Sequence, residues 1–153
     1  MSVECIALGC DHAATDMLAA ISNHLEWRGY NILVFTPPEG KSVDYPEYAE
    51  MVALAVQGKR ADLGILVCGT GAGMCIAANK VRGIRAVVCS EAFTAKLSKE
   101  HNDSNILCIG ARVVNNETAA EIIDSWLNAE FEAGGRHERR VGLIKGIEEK
   151  QGK

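Results

Sequence analysis

Cys68, followed at once by Gly69-Thr70-Gly71-Ala72-Gly73, is the stretch of this sequence best suited to chemistry. Ile65, Leu66 and Val67 before it form a short apolar run, the pattern of a buried parallel strand. Residues 72–80 after it are apolar and helix-compatible. A strand, a glycine turn and a helix start leave backbone amides bare, and the helix dipole points the same way. Such a turn holds anions. A thiol beside it is a candidate base next to a candidate oxyanion cradle.

The same glycines exclude other chemistry. A dinucleotide fingerprint needs Gly-x-Gly-x-x-Gly or Ala. Counting from Gly69 the last position is Met74, and counting from Gly71 it is Ile76. Gly40-Lys41-Ser42 has the tail of a phosphate-binding loop, but its first glycine falls on Phe35, and Pro37 and Pro38 stiffen its interior. The six cysteines contain no Cys-x-x-Cys pair, so no zinc site is expected. Cys5, Cys68, Cys89 and Cys108 lie in or beside strand-like runs, as small core residues of a reducing, cytoplasmic protein would.

The elements that must position Cys68 follow in order. Apolar runs at 5–8, 30–35, 63–67, 85–89 and 106–109 read as strands. Helical periodicity marks 13–28, 47–57, 91–100, 117–131 and 136–150. Strands alternating with helices through short joints imply a parallel sheet covered on both faces. The 153 residues suit one domain, 1–153, with no repeat or linker. A net charge of −4 with mixed signs argues against a general nucleic-acid binder. No apolar run is long enough for a signal peptide or membrane span. The last helix has a sparse apolar stripe (Val141, Leu143, Ile144, Ile147) after a Gly134-Gly135 break, which suits packing on a partner subunit.

Several polar residues carry two readings on their own. Asp11 is an N-cap or a ligand at a strand's carboxyl end, and His12 a surface residue or a ligand. His101 is a dipole partner at a helix end or an acid-base group. Arg136 and Arg140 are a solvated face or a phosphate clamp, since i and i+4 share a face.

Gly-Cys-Asp-His at 9–12, Asp-Tyr-Pro at 44–46, Cys-Gly-Thr-Gly-Ala-Gly at 68–73, Ile-Ala-Ala-Asn-Lys at 76–80, Gly-Ile-Arg-Ala at 83–86, His-Asn-Asp at 101–103 and Gly-Gly-Arg-His at 134–137 occur in that order. This set resembles the type B ribose-5-phosphate isomerases, a family that also holds allose-6-phosphate isomerases and galactose-6-phosphate isomerase subunits. The resemblance covers nearly the whole chain. It implies a Rossmann-like three-layer α/β/α sandwich with a five-stranded parallel sheet. It implies an aldose–ketose isomerase of the non-oxidative pentose phosphate pathway, free of metal and cofactor, that passes through an enediolate. It also implies a homodimer or dimer of dimers with shared active sites.

By the same resemblance Cys68 is the base, His101 opens the sugar ring, and Thr70 and Asp11 assist. Relatives without the cysteine use a glutamate further along the loop; here that place is about Cys75. Gly69, Gly71, Ala72 and Gly73 hold the enediolate oxygens, and Asn102 a hydroxyl or the carbonyl. Arg136, Arg140, Arg112 and His12 take the phosphate or sugar. Some of Arg112, His101 and the terminal-helix arginines are expected to reach a neighbouring subunit's site. A hexose 6-phosphate is the alternative substrate, and a non-catalytic sugar-phosphate binder a further one. The chain departs from many relatives at Ala14 and Leu18-Ala19, expected at the start or surface of the first helix, and by one residue before Gly134.

Overall fold

Among residues 2–152, which the computed structural model describes, five strands and six helices alternate. The order is β1 (Cys5–Cys10), α1 (Thr15–Trp27), β2 (Asn31–Phe35), α2 (Tyr45–Gln57), β3 (Leu63–Cys68), α3 (Ala72–Ala78), β4 (Ala86–Val88), α4 (Ala92–Asn102), β5 (Ile106–Gly110), α5 (Asn116–Leu127) and α6 (Arg136–Lys150). All strand pairs are parallel, in the order β2-β1-β3-β5-β4. The expected α/β/α sandwich is therefore the architecture found. β1 and β3 are neighbours from which the chain winds outward in opposite directions. Between their carboxyl ends lies the crevice where open parallel sheets bind ligands.

Side-chain alternation decides which face each strand residue serves. Ile6, Leu8, Cys10, Leu63, Ile65 and Val67 pack with α1, α4 and α5, around the fully buried Trp126. Ala7, Leu66, Cys68 and Cys108 face the other way, onto α2 and α3. Cys68 thus points to the α2–α3 side because Leu66, two residues earlier, does.

Several boundaries differ from those read in the sequence. β1 runs on through Gly9 and Cys10, because Gly9 pairs with both Phe35 and Leu66 and Cys10 with Val67. The glycine there lies between two paired strands. α4 keeps His101 and Asn102 in its last turn and stops at Asp103, whose φ of 47° is left-handed. α5 ends at Leu127, before the expected 131, because the chain turns there and the Glu132 amide docks on the Glu100 carbonyl at 2.9 Å. Asp11 does not cap α1: the cap position is Ala14, and Asp11 Oδ1 accepts from the Ala13 amide at 3.0 Å. Ala14 stands at the start of α1, as expected, and is buried there; Ala19 is on the helix surface, but Leu18 is buried core.

Candidate active site

At the carboxyl end of β3 the Cys68 side chain is nearly buried. The Gly71 amide donates to its sulfur at 3.2 Å. That is a donor placed where a thiolate carries its charge. Gly71 reaches this position at φ 82°, a left-handed conformation open to glycine. The next amide, of Ala72, donates to Thr70 Oγ1 at 3.3 Å. Two of the amides expected to cradle an oxyanion therefore already serve the thiol and the hydroxyl. α3 begins at Ala72, and first-turn amides have no partner within a helix.

The turn is pinned from below by β5. Ala111 and Arg112 donate to the Cys68 and Gly69 carbonyls at 2.8 and 3.0 Å. Thr70 lies directly on Gly110, where a Cβ would stand 2.7 Å from the Thr70 carbonyl. Arg112 leans over the turn: a Cβ on Gly69 would meet its guanidinium at 3.2 Å. A Cβ on Gly73 would meet the Tyr45 ring at 2.7 Å. Asp11 and His12 follow the adjacent strand end, and His12 Nδ1 accepts from the Val43 amide at 3.1 Å. His12 also lines a cleft of about 620 Å³ with the 36–42 loop. Among the expected residues, Cys68, Gly69, Thr70, Gly71, Ala72, Gly73, Asp11, His12 and Arg112 thus gather at this end.

The remaining expected residues lie at the other end. α4 returns from the carboxyl edge to the amino edge, so its last turn carries His101 and Asn102 to the start of the strands. Arg85, just before β4, donates from Nε to the Asn102 and Asp103 carbonyls at 3.1 and 2.9 Å. Asn105, just before β5, accepts from the Arg85 amide at 2.8 Å. α6 lies along this edge, with Glu148 bonded to the Gly83 amide at 3.0 Å. It brings Arg136 and Arg140 to the same side, both exposed. From the Gly64–Ile106 pair to the Cys68–Gly110 pair is four strand steps, about 13 Å at ~3.3 Å per residue. One chain therefore places its two groups of candidate site residues at opposite edges of the sheet, as the halves of a candidate site.

The second half-site contains a residue that the motif reading passed over. The imidazoles of His101 and His137 stack with centroids 4.0 Å apart and planes 4° from parallel. His137 is buried, and both Glu132 Oε2 and Arg136 Nε come within 3.5 Å of its Nε2. Loss of hydration, then the His101, Arg136 and Arg140 charges, hold its pKa below the ordinary 6.5, against an opposing pull from Glu132. The ring is therefore neutral near pH 7, and Arg136 is the donor to Nε2. Ligand atoms of His101, Glu132 and His137 lie within 4.8 Å of one another. The two stacked rings aim their nitrogens in parallel planes, so this cluster is not a preformed metal ligand set.

A family profile described as Ribose/Galactose Isomerase matches residues 6–144. The chain belongs to that family. Ribose-5-phosphate isomerase B of Escherichia coli (strain K12) is 51% identical over 146 residues, 95% of this chain and 97% of its own. The solved ribose-5-phosphate isomerase B of Clostridium thermocellum is 48% identical with a TM-score of 0.93, covering 96% of this chain and 99% of that one. The Mycoplasma genitalium ribose-5-phosphate isomerase B, solved with bound ribulose-5-phosphate, is 38% identical with a TM-score of 0.91 over 97% and 99% of the two chains.

Within the family motifs, His137 and Tyr45 were legible as letters but not as site residues. Gly-Gly-Arg-His and Asp-Tyr-Pro contain them. No local periodicity links His137 to His101, since the 128–135 turn makes that contact.

Proposed function

We propose that this protein interconverts D-ribose 5-phosphate and D-ribulose 5-phosphate, with Cys68 as the base. The single observation that carries this reading is the Cys68 thiol, held at the β3 end with the Gly71 amide on its sulfur, in a chain of this family. Ring opening breaks the bond from C1 to the ring oxygen. The C1 hydroxyl loses a proton, and the ring oxygen gains one. His101 serves this step, with Asp11 and Thr70 assisting. The Cys68 thiolate then takes the C2 proton, and the electron pair moves into an enediolate. The carbon-bound proton returns to C1, the C2 hydroxyl gives up its own proton, the C1 oxygen gains one, and C2 becomes the carbonyl. The turn amides not already given to sulfur and hydroxyl, with Thr70, steady the developing oxyanion.

The two half-sites become one site when a second copy of the chain brings His101, Asn102, Arg136 and Arg140 to the Cys68 edge. Arg112 and His12 stay with Cys68, and the phosphate lies between them and the partner's helix. Leu143, Ile144 and Ile147 are exposed on α6, which suits a helix that docks on another subunit. Residues 1–153 act as one sugar-phosphate isomerase domain. The six free cysteines suit a reducing cytoplasm. Among the described residues no helix is long and apolar enough to cross a membrane.

The test is turnover of the purified protein without added metal. Ribose 5-phosphate is run beside allose 6-phosphate and galactose 6-phosphate. A clear preference for ribose 5-phosphate is expected. A preference for a hexose phosphate overturns the substrate and keeps the chemistry. Binding of all three without turnover overturns the enzyme.

A further inference from the structure

Ring opening asks more of an imidazole than presence. The ring must face the sugar at a fixed angle, because a misplacement of about 1 Å costs about a hundredfold. His101 sits in the last turn of α4, where helices fray. Its neighbours counter that. Ser98 Oγ and Ser104 Oγ are 2.9 Å apart in the core, and Trp126 Nε1 donates to Ser104 Oγ at 2.8 Å. Lys99 Nζ donates to the Ser104 carbonyl at 3.2 Å. These contacts fix the α4 backbone but leave the His101 ring free to turn about its own bonds.

His137 supplies what the backbone does not. Its ring covers one face of His101, nearly parallel, from a buried position. It is itself held from two directions: Arg136 Nε donates to its Nε2, and the neighbouring turn is fixed because the Glu132 backbone is tied to α4 at Glu100. We infer that His137 is a positioning residue, whose ring face holds the His101 imidazole in the orientation that ring opening requires. His137 acts through His101 and takes no proton from the sugar. The inference rests on the proposed role of His101 in ring opening.

Two steps of the reaction separate this role from a merely structural one. Ribulose 5-phosphate is open-chain, so exchange of its C1 proton with solvent needs Cys68 but no ring step. Net conversion of ribose 5-phosphate needs both. The experiment uses the full-length protein and three variants, His101→Asn, His137→Ala and His137→Phe. For each, kcat and KM on ribose 5-phosphate, deuterium uptake at C1 of ribulose 5-phosphate and the thermal midpoint are measured. His137→Ala is expected to lower kcat about tenfold or more, part of the 10²–10⁴ that a general acid-base group supplies. KM and the C1 exchange rate should stay within about twofold. His137→Phe, which keeps a flat ring there, should recover most of kcat.

An unchanged kcat in His137→Ala overturns the inference. So does a Phe variant as slow as the Ala variant, since the imidazole's own proton would then matter. Net conversion, exchange and thermal midpoint falling together would make His137 a folding residue only. Full activity in His101→Asn would instead sink the reading of His101 itself.

Discussion

The amide of Gly71 donates to the Cys68 sulfur across 3.2 Å, from a residue held at φ 82°. The thiol and its donor are therefore set by one backbone conformation. A Cβ at 71 would stand 2.9 Å from Val88 Cγ2 and 3.1 Å from the Ile109 carbonyl carbon. Gly71→Ala should destabilise the fold by about 1–2 kcal/mol from the left-handed backbone alone, and by more from the contact. It should also turn the amide away from sulfur. Thermal unfolding and steady-state kinetics read the two effects separately. A Gly71→Ala protein with wild-type kcat would show that the amide does not serve the base.

The chain carries a second candidate thiol close by. Cys75 is half-buried in α3, and a bond with Cys108 draws its pKa down to about 7 despite the opposing effect of burial. Its sulfur lies 3.4 Å from the Ala86 carbonyl, under β4 rather than over the turn. Cys68→Ser should lower kcat by about 10²–10⁴, the usual contribution of a placed acid-base group, while the sugar phosphate still binds. It should abolish C1 exchange as well. Cys75→Ser should keep most of both. The reverse result would move the base to Cys75.

Arg136 and Arg140 are exposed on one face of α6. A phosphate between them is a ground-state contact as much as a transition-state one. Arg140→Ala should therefore raise KM by about 10–100-fold, the worth of one or two charge-assisted bonds, with kcat little changed. Added salt should weaken the wild type more than the variant. A drop in kcat at constant KM would place Arg140 in the chemistry instead.

The strand, turn and helix around Cys68 were legible because they are local. An apolar run, a glycine cluster and a second apolar run each declare themselves within a few residues. The split between Cys68 and His101 was less legible, although its cause is simple. Every helix of a parallel βα fold starts at the carboxyl edge and ends at the amino edge, so a helix's last turn lies far from a strand's end. That rule assigns His101 and Asn102 to the opposite edge before any coordinates exist. The insertion of β5 between β3 and β4 had no such signal. Neither did the true end of α5, which is set by docking of Glu132 on α4. Propensity favoured helix through Phe131, and tertiary contact overrode it.

Asp62 gives the fold a measurable acid dependence. Its carboxylate accepts from the Glu4 and Cys5 amides, each at 2.9 Å, tying the start of β1 to the approach of β3. These two bonds, the Cys5 one first, hold its pKa below the ordinary 3.8. A lowered carboxylate stabilises the fold above 3.8, and the contribution fades as pH falls through the folded-state value. Asp62→Ala should therefore have a lower thermal midpoint than wild type at pH 7, and the gap should close as pH falls below about 4. A gap of constant size across that range would mean the carboxylate's charge is not involved.

The two half-sites make the strongest prediction about assembly. Cys68 stands at the carboxyl edge, and His101 at the amino edge behind the α4 return. If a substrate needs both, no monomer is active, and each site of a two-fold dimer takes Cys68 from one chain and His101 from the other. Cys68→Ser and His101→Asn homodimers are then both inactive in net conversion. A heterodimer of the two has one site with both residues intact and one with neither. Random reassembly of equal amounts makes half the dimers mixed, each with one working site of two. Activity should therefore return to about a quarter of wild type, after unfolding and refolding the chains together. Mixing without subunit exchange should restore nothing. A refolded mixture that stays inactive would mean that Cys68 and His101 meet within one chain, and an active homodimer of either variant would mean that the residue it lacks does not act. Recovery near a quarter requires the crossing of chains, because no intact pair exists on either variant alone.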